Sequence, residues 1–263
     1  MIDKTEITFI EQAKLQGRVI WALTMREIIT RFGREGLGAF WLLAEPAMFI
    51  IGVMVIFSYV ETPATYSIAE YLAISYPTLL LWRNGTNRVV KSIEVNRALL
   101  HHQPIKCIDL IYSRILLEFS SATAAFTILY IIFWQIGICR KPHNLLTFIL
   151  GYLLVVWFSF GFILVMTALS DLSETIERLS HIIMYLMLPF TGVFLPLFAV
   201  PMPYRDMLLW FPLIDAIEIM HHGYYGLRMQ TYFDVQYTIL SLSALTLAGY
   251  ALTNISVRRL LSK

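Results

Sequence analysis

Residues 15–46 read LQGRVIWALTMREIITRFGREGLGAFWLLAEP and lead directly into an apolar stretch that runs to Val60. A basic amphipathic helix followed at once by a long apolar one restricts the chain to an interfacial helix that turns into a membrane span. On a helical wheel Trp21, Met25, Ile28, Ile29 and Phe32 share one face, and Arg26, Glu27, Thr30 and Arg31 lie off it. Ile20 and Leu23 fall on the polar side, where a neighbouring helix has to cover them. Gly33, Gly36 and Gly38 permit the turn upward.

Six apolar spans of about 20 residues emerge, at 39–60, 68–88, 108–137, 145–169, 179–198 and 237–257. The second loses its apolar character after Trp82, where Arg83, Asn84, Asn87 and Arg88 continue it as a polar stalk. Composition agrees: 14% of residues are charged, where a soluble domain carries roughly a quarter, so lipid must solvate part of the surface. A net charge of +2 excludes the broad basic face that nucleic acid requires. Sixteen Lys and Arg fall on the side of the N-terminus and only Arg140, Lys141, Arg205 and Arg228 on the other. That bias places both termini in the cytosol. The first long apolar run begins near Ala39, too late for a cleavable signal.

Between the last two spans, Pro201, Pro203 and Pro212 cut residues 199–233 into pieces too short to cross. Leu208, Leu209, Trp210 and Phe211 are too apolar for a plain loop, so short re-entrant helices are expected. Pro189 and Pro196 are expected to kink the fifth span. Cys107 and Cys139 belong at opposite ends of one helix, about 48 Å apart, too far for a disulfide. The expected fold is an all-α integral membrane protein with six transmembrane helices, preceded by an interfacial helix at about 15–35. Residues 1–263 form a single transmembrane domain.

The chain has no Gly-x4-Gly-Lys-Ser/Thr motif, and the glycines between Gly33 and Gly38 lack the following Lys-Ser/Thr. No cofactor is expected in this chain. Its ionisable residues near the spans (Glu45, Arg114, Glu118, Asp171, Glu174 and Glu177) fall at cytosolic ends, not at the midplane where an ion-driven transporter carries them. Asp171, Glu174 and Glu177 read as a solvated acidic face. Energy for any transport must therefore come from another subunit. The loop at about 91–109 is the candidate receiver, with a short helix from Ser92 stopped by Pro104 and the polar residues Asn96, Arg97, His101, His102 and Gln103. The histidine pairs 101–102 and 221–222 lack metal-ligand spacing, and no metal is expected. Arg26, Arg31 and Arg34 can hold a lipid phosphate, because guanidinium matches phosphate bidentately; membrane headgroups alone would also suit them. Glu27 is placed to pair with Arg31. Phe57, Tyr59, Tyr76, Trp82, Trp157 and Phe160 are candidates for stacking sugar rings in a channel, or for ordinary helix packing.

The series Arg26-Glu27-Ile28, Arg31-Phe32-Gly33, Leu37-Gly38, Trp41 and Glu45-Pro46 resembles the signature of polysaccharide-exporting ABC permeases, the type-2 exporter membrane subunits. Glu94, Asn96, Leu99, Pro104-Ile105-Lys106 and Asp109, then Arg114, Glu118, and Trp210-x-Pro-Leu with Glu218, fit the capsule branch best. His221-His222 depart from it, standing where an arginine is expected. The resemblance implies a permease of the bacterial inner membrane that exports lipid-linked capsular polysaccharide. Two copies would pair around a channel, above two nucleotide-binding ATPase subunits that carry ATP and Mg. Export proteins of the periplasm and outer membrane are possible further partners. It makes 91–109 the coupling element, with Asn96, Arg97, His101, His102, Gln103, Pro104, Ile105 and Lys106 facing the ATPase. It makes Arg26, Glu27, Arg31, Phe32 and Arg34 the substrate-entry gate. O-antigen, teichoic acid, and small drug or lipid efflux are the alternatives on the same scaffold. A membrane-bound glycosyl- or acyltransferase is the rival from another class, and it needs a catalytic acid or histidine in a polar cavity.

Overall fold

The computed structural model describes residues 9–32, 37–57, 67–90, 92–96 and 105–261. The described residues form helices and no strand: α1 (Phe9–Phe32), α2 (Leu37–Phe57), α3 (Ile68–Val89), α4 (Ser92–Val95), α5 (Cys107–Gln135), α6 (Leu145–Leu172), α7 (Glu174–Met187), α8 (Tyr204–Leu208), α9 (Pro212–Tyr225) and α10 (Val235–Leu261).

Local chemistry sets several of the boundaries. The Asp109 carboxylate accepts a hydrogen bond from the Lys106 N–H at 2.8 Å and so starts α5. Asn144 Oδ1 accepts from the Thr147 N–H at 3.1 Å and caps α6. Asp234 Oδ1 accepts from the N–H groups of Gln236 and Tyr237 at the start of α10. Pro212 opens α9, where its missing N–H costs nothing, and Gly226 closes it at φ 58°.

Among the described residues, α5, α6 and α10 are long and apolar enough to cross a membrane. They expose Ile131, Ile149, Leu153, Leu240 and Leu247, an apolar surface that lipid or another protein must cover. α6 lies at the centre, packed by α9, α10 and α3, and α3 also packs on α5. Trp82, Tyr71 and Phe158 are the bulkiest side chains sealed in this core.

The fifth predicted span needs correction. Instead of one helix over 179–198, α7 has 14 residues, about 21 Å of helix, and gives way to 3-10 turns at Leu188–Thr191 and Leu197–Ala199. Pro189 removes a backbone donor, and Gly192 takes a left-handed φ of 66°, which ends the helical path. The helix predicted at the interface, α1, begins earlier than expected, at Phe9. Of its two exceptions to the wheel, Leu23 is buried and Ile20 half-buried; next to Leu23, Thr24 Oγ1 donates to the Ser113 carbonyl of α5, while Trp21 and Ile29 stay exposed. Cys107 and Cys139 are free and buried at the two ends of α5.

Candidate functional site

One end of the molecule carries a polar seam between α1, α3 and α5. Arg31 Nη1 meets Glu118 Oε1 at 2.6 Å, and Arg88 Nη1 meets Glu118 Oε2 at 3.2 Å. Arg114 Nη1 donates to the Arg88 carbonyl at 3.0 Å, and its Nε lies 3.7 Å from Glu27. Glu27, expected to pair with Arg31 one turn on, thus reaches across to α5, as Arg31 does.

Helix α1 also makes a contact on either side of residues 97–104, to Asn96 after α4 and to Asp109 in the first turn of α5. Arg26 Nη2 donates to Asn96 Oδ1 at 3.0 Å, and Asn96 Nδ2 donates to the Ser92 carbonyl at 3.0 Å, fixing the end of α4. On the α5 side Gln16 Nε2 donates to Asp109 Oδ1. Below the loop an apolar cluster of Val89, Ile93, Cys107, Ile111, Ile115, Ile163 and Leu164 seats α4 on α5 and α6. Ile105 is half-buried and Lys106 exposed. Arg34, Tyr59, Arg97, His101, His102, Gln103 and Pro104 lie outside the described residues, and of Phe32 and Phe57 only the backbone is described.

Beside the seam, α1, α2, α3 and α5 enclose a cavity of about 140 Å³. Arg31, Glu45, Asn84, Arg88, Glu118 and Ser121 form its polar wall, and Trp41, Pro46, Leu80 and Phe126 are among its apolar lining. The two arginines are already paired with Glu118. An anionic group entering here has to compete with that carboxylate, so the cavity favours a strong bidentate acceptor over a weak one.

The candidate stacking rings with described side chains are engaged within the chain. Tyr76 stacks on Phe49 at 4.0 Å, and Trp82 is fully buried with its edge to Phe162. Trp157 Nε1 donates to Thr246 at 3.0 Å, and Phe160 stacks on Tyr112.

The opposite end, one length of α3 away, holds a second buried network that the sequence did not reveal. His221 Nε2 lies 2.7 Å from Ser75 Oγ, and its Nδ1 is 3.6 Å from Glu218 Oε1. Glu218 Oε2 accepts from the Tyr232 N–H at 3.0 Å. Tyr224 Oη donates to Glu70 at 2.9 Å, with Arg140 beyond at 3.9 Å. His221 and Ser75 have no exposure to solvent, so this serine and histidine tie α9 to α3 and offer no open face to a substrate. The only signal in sequence was the i,i+3 spacing of Glu218 and His221. Asp215, also on α9, accepts through Oδ2 from the Asp234 N–H and from Thr238 Oγ1, both at 3.2 Å. Burial pushes its carboxyl up to about 6, against those hydrogen bonds. No group of three or more His, Cys, Asp or Glu suited to a metal occurs among the described residues.

Comparison with known proteins gives consistent matches. Residues 18–232 match the family described as ABC-2 type transporter. The capsule polysaccharide export inner-membrane protein BexB of Haemophilus influenzae is 32% identical over 249 residues, covering 94% of this chain and 93% of that one. CtrC of Neisseria meningitidis serogroup B, with the same description, is 32% identical over 249 residues and 94% of each chain. The polysialic acid transport protein KpsM of Escherichia coli is 27% identical over 235 residues, 87% of this chain and 91% of that one.

Proposed function

This chain belongs to the ABC-2 type transporter family, and we propose the following function for it. It is the transmembrane subunit of a capsule polysaccharide exporter of the bacterial inner membrane. ATP and Mg belong to a separate ATPase subunit, and the work of this chain is mechanical. Two copies of the permease pair around the path of a lipid-linked polymer. The six spans are α2, α3, α5, α6, α7 with its 3-10 extension, and α10, with α8 and α9 re-entrant from the outer side and both termini cytosolic. This orientation follows from the Lys/Arg bias.

The observation that carries the mechanism is the pair of contacts that α1 makes on either side of residues 97–104, Arg26–Asn96 and Gln16–Asp109. A loop pushed by the ATPase cannot move without moving α1. Through Arg31 and Glu118, α1 in turn bears on α5 and the wall of the polar cavity. ATP binding below therefore shifts the element at the membrane surface where Arg26 and Arg31 meet the lipid phosphate. That is the order a gate requires: the stroke opens the entry, and the polymer follows.

Arg26→Ala and Asn96→Ala test this link. Each is expected to lower polymer export about tenfold while the assembled complex continues to hydrolyse ATP. The double variant should be no worse than Arg26→Ala alone, because the Arg26–Asn96 contact is already lost in that variant. Export at the wild-type level in either single variant contradicts the mechanism.

A further inference from the structure

We propose that the groove between α8 and the start of α10 binds a neutral or amino-bearing sugar unit of the exported chain. The proposal rests on the reading of this protein as a polysaccharide permease, and it concerns a site at the far end from the coupling loop. By the orientation above, the groove faces the outer side, where the polymer emerges.

The groove has a volume of about 570 Å³, within the range of small-molecule clefts. Its walls combine Trp210, Tyr232 and Tyr237 with Asp206, Asp215 and Asp234. Trp210 is 78% exposed, yet its backbone is fixed by Tyr237 Oη, which donates to the Trp210 carbonyl at 2.7 Å. Its backbone is thus held, and its indole stands exposed along the groove. Tyr232 carries the Arg205 guanidinium over its ring at 3.9 Å.

The carboxylates supply the second half of the argument. Asp215 is 1% exposed, and Oδ2 takes both of its hydrogen bonds. Oδ1 is buried with no hydrogen-bond partner among the described residues, a condition that native structures seldom leave unanswered. A ligand hydroxyl or ammonium entering the groove supplies the missing donor. Asp206 is exposed beside it, and Asp234 uses Oδ1 to cap α10. Three acids stand against one cation, Arg205. Arg205 Nε is also buried with no hydrogen-bond partner among the described residues, but Arg205 lies outside the lining of the groove, so the three acids set its charge, which disfavours phosphate, uronate and sialate and favours groups that can donate. Apolar C–H faces for the rings and outward hydroxyls for the carboxylates occur together in a pyranose.

The test uses the purified full-length chain in detergent and three hexasaccharide probes built from glucose, glucosamine and galacturonate. Binding is followed by saturation-transfer NMR and calorimetry. No ATPase or flux is needed, so a failed transport assay leaves this measurement standing. The glucose and glucosamine probes are expected to bind saturably, and galacturonate at least tenfold more weakly. Trp210→Ala, at an exposed position that does not threaten folding, should weaken binding at least tenfold. Asp215→Asn should weaken it several-fold, and Asp206→Asn should narrow the discrimination against galacturonate. The proposal is overturned if no saccharide binds, if Trp210→Ala leaves binding unchanged, or if galacturonate binds as well as glucose. It is also overturned if hexalysine binds and the saccharides do not, which would mark the groove as a seat for a basic protein segment.

Discussion

Gly151→Ala should nearly abolish folded protein in the membrane, although it adds one methyl group. A Cβ at Gly151 on α6 would stand 2.3 Å from the Met220 backbone nitrogen of α9. The contact is reciprocal, since a Cβ at Gly223 on α9 would stand 2.2 Å from the Phe148 nitrogen of α6. Both obstacles are backbone, so no rotamer relieves them, and α9 would have to retreat by about 1 Å to restore ordinary contact. That retreat breaks the hydrogen bonds from the N–H groups of His143 and Asn144 to the carbonyls of Tyr224 and Gly223, at 3.0 and 2.8 Å. It also pulls His221 from Ser75. Close approach through small residues is how helices associate where lipid removes the hydrophobic drive. Overpacking costs about 1–3 kcal/mol and occasionally more, and an obstacle made of backbone lies at the upper end. Fluorescence-detected size exclusion of a tagged protein would measure the loss. Gly52→Ala is the control: nothing lies within 4 Å of its added Cβ, and it should keep the wild-type yield. A normal yield from Gly151→Ala would mean that α9 does not nest on α6.

The second large effect is expected at Glu118. Its side chain is 9% exposed and serves both Arg31 and Arg88. Glu118→Ala leaves two guanidinium groups facing one another across a small cavity. Arg31 and Arg88 are 24% and 41% exposed, so water screens the two cations left behind and the cost falls below the roughly 3–5 kcal/mol of a fully buried pair. Export measured as polymer at the cell surface should fall more than tenfold. Glu118→Asp, which keeps the charge on a shorter arm, should recover part of it. Unchanged export in Glu118→Ala would remove the link between α1 and α5 from the account.

The helices themselves were largely legible because hydrophobic period and length are local properties. α6 and α10 follow the expected spans closely at their starts, 145 against Leu145 and 237 against Val235. Leu23 was legible as an exception that needed a neighbour; it is buried, and the adjacent Thr24 bonds to α5. The fifth span was misread because proline is tolerated inside membrane helices. Hydropathy continues smoothly through Pro189, and the left-handed turn at Gly192 cannot be read from it. The polar seam was half legible. Arg31 and Glu118 each stood out as charges near a span end, but their pairing spans 87 positions, and the grip of Gln16 on Asp109 spans 93. Contacts of that separation are decided by how helices cross. The same holds for the aromatic rings. Whether Trp82 lines a path or fills a core depends on Phe162 across the helix pair, which its own sequence neighbourhood does not contain.

This permease is expected to move polymer only when a separate nucleotide engine drives it through the loop 91–109. Vesicles reconstituted with the purified chain, a lipid-linked polymer and ATP give the direct measurement, run with and without the ATPase subunit. Polymer should cross the bilayer only when the ATPase and hydrolysable ATP are both present, and the chain alone should show neither flux nor ATP turnover. Transport against a gradient by this polypeptide alone would contradict the account.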